Sequence, residues 1–79
     1  MSIKKTKLDQ LWTQEFACRL KARMNVLGVS SYDLAKTCGL TYQCIDLLLE
    51  GNTIPLAITV VKLAKGLAVE PSYLIDFEV

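Results

Sequence analysis

The sequence predicts an all-α domain, a compact bundle of five helices. Three observations lead there. Apolar residues step along the chain in threes and fours rather than in twos. Residues suited to start a helix alternate at short intervals with glycines suited to end one. The connections left over are only a few residues long, as in packed neighbouring helices. Of the 79 residues, 52% are hydrophobic and 22% charged, more apolar material than one small core hides. Part of it is therefore expected on the surface as an interface.

The elements follow in order. Residues 1–7, with Lys4, Lys5 and Lys7, read as a basic arm ahead of a single domain over 8–79. Leu8, Leu11, Trp12, Phe16, Leu20, Met24 and Leu27 mark one face of a long first helix. Thr6 and Asp9 fit a capping box at its start, and Gly28 a stop at its end. Ser30 and Asp33 form a second capping box, opening a short helix over "SYDLAKTC" that ends at Gly39. Thr41 caps a third helix, "YQCIDLLLE", closed by Gly51. After the loop "NTIP", a fourth helix runs from 55 or 56 to 65 or 66. Its β-branched run "ITVV" has poor intrinsic helix propensity, so packing must hold it. Pro71 suits the first turn of a fifth helix through "SYLI". The final "IDFEV" alternates apolar and acidic residues. It reads either as a tail whose Phe77 plugs the core or as a short C-terminal strand. Such a strand would pair with a second copy, with Ile75, Phe77 and Val79 in the dimer interface.

Helices two and three carry the most specific pattern, "SYDLAKTCGLTYQCIDLLLE". Ala35 is small where two helices cross closely, and Gly39 supplies the positive φ of a tight turn. Leu40, Ile45 and Leu48 are spaced to seal the second helix of the pair onto the first. This is the helix-turn-helix pattern. The chain resembles the phage-repressor and Cro-like (Xre-type) family, the lambda-repressor-like fold. The resemblance runs without gaps from about Phe16 to Ile75 through "RLK", "GVSSYDLAKTCGLT", "GNTIP" and "VVKLAKGLAVEPSYLI". It implies a phage or bacterial DNA-binding transcription regulator, repressor-like and cytoplasmic, acting as a homodimer on a pseudo-palindromic double-stranded operator. Two places depart from the family. Leu56 stands where a Ser cap is common, and the third helix holds no Lys, Arg or His.

Charge sharpens that second departure. The net charge is only +1, but it is unevenly spread. Residues 1–66 hold nine bases and five acids, whereas the stretch from Leu67 holds three acids and no base. Base-reading chemistry is nonetheless present on the third helix. Gln43 suits adenine, Asp46 accepts from cytosine N4, and Leu47 suits a thymine methyl. Tyr42 and Thr41 can bond to phosphate. Lys36, Lys4 and Lys5 supply positive charge, and Ser31, Tyr32 and Asn52 add uncharged contacts. The competing reading is a protein-binding face made by Leu47, Leu49, Ile54 and Leu56. With no His and no clustered carboxylates, an enzyme would lack its usual acid–base groups, so no catalytic residue is expected. Cys18, Cys38 and Cys44 match no zinc spacing and read as buried reduced thiols. No metal, cofactor, signal peptide or membrane span is expected.

Overall fold

The computed structural model describes residues 7–78, with the side chains of Lys7 and Leu8 left aside. It contains five helices: α1 Lys7–Leu27, α2 Ser31–Cys38, α3 Tyr42–Leu49, α4 Ala57–Gly66 and α5 Pro71–Ile75. α1, roughly 30 Å long at the rise of an α-helix, matches the longest dimension, 32 Å. It forms the floor on which α3 and α5 rest, while α2 bridges α3 and α4.

One core joins all five helices. α1 gives Phe16, Leu20 and Met24; α2 gives Leu34, Ala35 and Cys38; α3 gives Ile45 and Leu48. Val60, Leu63, Ala64 and Leu67 come from α4 and its end, and Leu74 from α5. The "ITVV" run is held by this packing, with Thr59 and Val60 inside and Ile58 and Val61 outside. The apolar stripe of α1 is narrower than the sequence suggests. Leu11 and Leu27 are exposed, and Thr13 is buried instead. Thr13 is tolerated there because its hydroxyl donates to the Gln10 carbonyl at 3.1 Å.

Helix ends agree with their chemistry. Ser30 and Asp33 form the reciprocal capping box of α2. Pro71 stands at the start of α5. Leu56 precedes α4 with no side-chain cap and is 71% exposed. The capping role of Thr6 falls outside the described residues. The turn after α4 is built on Ala68, whose φ is +59°. Its N–H donates to the Lys65 carbonyl, and that of Val69 donates to Ala64. That pairing is a Schellman ending, normally completed by glycine.

Among the described residues no C-terminal strand is formed. Ile75 is the last residue of α5, and residues 76–78 adopt no regular structure. Phe77 instead packs at a 35° tilt beside Trp12, ring centroids 5.3 Å apart, with the Arg19 guanidinium 4.9 Å above it. Burying the ring against α1 outweighs the alternation that reads as a strand. Val79 lies outside the described residues.

Candidate nucleic-acid interface

α2 and α3 are set by their turn and their caps. Gly39 ends α2 in left-handed backbone, φ +71°, with its N–H on the Ala35 carbonyl. Leu40 donates to the same carbonyl at 3.0 Å and packs on the core. Thr41 then caps α3, its Oγ1 accepting from Cys44 N at 3.2 Å. That bond uses an acceptor lone pair of Thr41 and leaves its hydroxyl proton for an outside partner.

The register of α3 follows from Ile45 and Leu48, which are buried against α1 and α2. One face is thereby fixed inward, and Tyr42, Gln43, Asp46 and Leu47 are turned to solvent. Among the described residues, the side chains of Gln43 and Asp46 make no hydrogen bond. The three consecutive leucines separate cleanly. Leu48 is core, and Leu49 is half-buried, joining the core at a shallow depression beside Gln14, Ala17 and Cys18. Leu47 alone is left outside, 50% exposed. This takes Leu49 out of the proposed protein-binding patch and leaves Leu47, Ile54 and Leu56, the last two 55% and 71% exposed.

The sequence-predicted contact residues converge where α2 meets α3. An open depression of about 230 Å³ is lined by Tyr32, Ala35, Lys36, Leu40, Thr41, Tyr42 and Gln43. The Tyr32 and Tyr42 rings lie 6.4 Å apart at 49°. Lys36 Nζ sits 4.9 Å from the centre of the Tyr32 ring. This cation–aromatic cluster was missed by sequence reasoning. Its Tyr32–Lys36 half has a legible helical spacing of four, but the Tyr42 contact depends on how the helices cross. Ser31 is half-buried at the first position of α2, and Asn52 is exposed just after α3. Lys4 and Lys5 lie outside the described residues.

Both arginines serve the scaffold rather than this face. Arg19 pairs with Glu15 at 3.2 Å and donates to the Tyr73 carbonyl at 2.9 Å. Arg23 donates to the Leu67 carbonyl at 3.1 Å. They tie α5 and the end of α4 to α1. Of the cysteines, Cys38 is buried, Cys44 is half-buried and Cys18 is exposed, so the expectation of burial fails at Cys18. Cys18 lies on the rim of the open depression between α1 and the end of α3, where it stays exposed. Burial pushes the Cys38 thiol up from its ordinary value, opposed by a hydrogen bond with the Gly66 backbone. No helix of the described residues is long and apolar enough to cross a membrane.

No protein-family model and no curated protein sequence matches the chain. Solved structures do. The restriction-modification controller protein C.AhdI from Aeromonas hydrophila superposes with a TM-score of 0.75 at 27% identity. The match covers 78% of this chain and 94% of that one. An HTH_3 family transcriptional regulator from Vibrio cholerae superposes with a TM-score of 0.80 at 24% identity. There 86% of this chain is covered but only 38% of the other, so that likeness concerns the fold alone. The chain has the all-α lambda-repressor-like helix-turn-helix fold.

Proposed function

We propose that this chain is a cytoplasmic transcription regulator that binds a pseudo-palindromic DNA operator as a homodimer, with α3 in the major groove. The observation that carries the reading is the outer face of α3. The buried Ile45 and Leu48 fix the helix, while Gln43 and Asp46 present uncommitted polar groups to solvent. Beside them, Lys36, Tyr32, Tyr42 and Thr41 cluster where a flanking phosphate would pass. The description of C.AhdI as a restriction-modification controller supports a regulatory role. In the dimer, Ile75 supplies exposed apolar surface, while Phe77 braces that end from within.

With no arginine on this face, phosphate charge falls to Lys36 and to Lys4 and Lys5 of the arm. Three lysines per protomer give a log–log salt slope of about −5 for a dimer. Fluorescence anisotropy against mixed-sequence duplex at low salt tests the proposal. Binding that weakens with salt at about that slope supports it. A folded, helical protein that binds no duplex overturns it. That result would favour a protein partner for Leu47, Ile54 and Leu56.

A further inference from the structure

The geometry points to a specific base-edge preference for α3, resting on the DNA reading above. Asp46 and Leu47 together select an amino-bearing base edge next to a thymine methyl, and Asp46 turns guanine away. The two residues are neighbours on the exposed face, and neither is held by the fold. Leu47 is 50% exposed, and Asp46 is solvent-facing with no hydrogen bond to its carboxylate among the described residues. Gln43 lies one turn back on the same face. The rise from Gln43 to Leu47 is roughly 6 Å, against about 3.4 Å per base step. The face therefore spans two adjacent steps.

The chemistry of the face is narrow. A carboxylate only accepts hydrogen bonds. In the major groove, adenine N6 and cytosine N4 offer donors, whereas guanine presents two acceptors and thymine one acceptor and a methyl group. Asp46 is thus attracted to adenine or cytosine and repelled by the N7 and O6 of guanine. No Lys, Arg or His stands on α3 to reverse that preference. Leu47 has only methyl groups to offer, and thymine is the one base with a methyl to meet them. A cytosine–guanine pair is admitted in one orientation and refused in the other, so the preference is directional.

Selection of operators from a randomised duplex library, followed by base replacement, tests this. Uracil in place of the critical thymine removes only the methyl, and binding should weaken by roughly three- to fourfold, the share of one buried methyl. Leu47→Ala should abolish the difference between thymine and uracil. Asp46→Asn restores donors at that position. It should raise binding to guanine-substituted sites by about tenfold relative to the parent protein. Both side chains are exposed, and circular dichroism checks that each variant keeps its helices. If operators are selected but thymine and uracil bind alike at every position, the inference falls while the DNA reading stands. The same holds if Asp46→Asn leaves guanine refused. If no duplex is selected at all, both fall together.

Discussion

α2 and α4 meet tightly at Gly66, and that contact makes a quantitative prediction. A methyl group added at Gly66 would collide with Cys38 Sγ, and it would come within 3.3 Å of Leu34 Cδ1 and 3.6 Å of Thr37 Cγ2. Cys38 has one side-chain torsion and is itself buried, which limits where its sulfur can move. Overpacking of this kind costs about 1–3 kcal/mol. Replacing a helical glycine by alanine returns up to about 1 kcal/mol. Gly66→Ala should therefore destabilise by roughly 1–2 kcal/mol, a fall of about 5–15 °C in Tm for a domain of this size. Cys38→Ala removes one buried heavy atom and should cost about 1 kcal/mol by itself. In the double variant the new methyl occupies the space of the lost sulfur. The two changes should then couple favourably by about 1 kcal/mol or more. Urea unfolding followed at 222 nm measures all four corners of the cycle. Additivity within about 0.5 kcal/mol would show that the sulfur is not what the methyl meets.

Four further outcomes follow from the same structure. Because burial raises the Cys38 thiol above its ordinary 9.0, the folded state holds that proton more tightly than the unfolded one. Its contribution is complete below about pH 9 and lost as pH rises towards the folded value. Cys38→Ala should flatten the alkaline fall in stability, and an equally steep fall would place its cause elsewhere. In native protein a thiol reagent should modify the exposed Cys18 first and Cys38 only on unfolding; equal rates would contradict the burial. Ala68→Gly relieves left-handed strain of about 1–2 kcal/mol against a smaller entropic cost to the unfolded chain. Its Tm should rise by a few degrees, and a lower one would mean that Ala68 rests there unstrained. If Lys36 meets phosphate in a DNA-bound dimer as proposed, Lys36→Ala removes two phosphate contacts per dimer. It should make the salt slope shallower by about 2 without changing base preference, and a changed sequence preference with an intact slope would assign Lys36 to base reading.

The helices were legible in the sequence because their signals are local. Ser30 with Asp33, Thr41, Gly28, Gly39 and Pro71 act on backbone groups a few residues away, and all took the expected places. The spacing of Ile45 and Leu48 likewise settled which side of α3 faces inward. Composition also showed that α3 lacks positive charge, and no folding could alter that. Tertiary structure decided what depends on contacts between distant parts of the chain. It separated Leu47 from Leu49, because α1 covers only one of two equally apolar side chains. It drew Tyr32, Lys36 and Tyr42 into one cluster and committed Arg19 and Arg23 to carbonyls near the C-terminus. It also turned Phe77 inward against Trp12, where alternation alone permits a strand. Periodicity reports which residues share a face of one helix, whereas burial depends on what the neighbouring helices supply to cover that face.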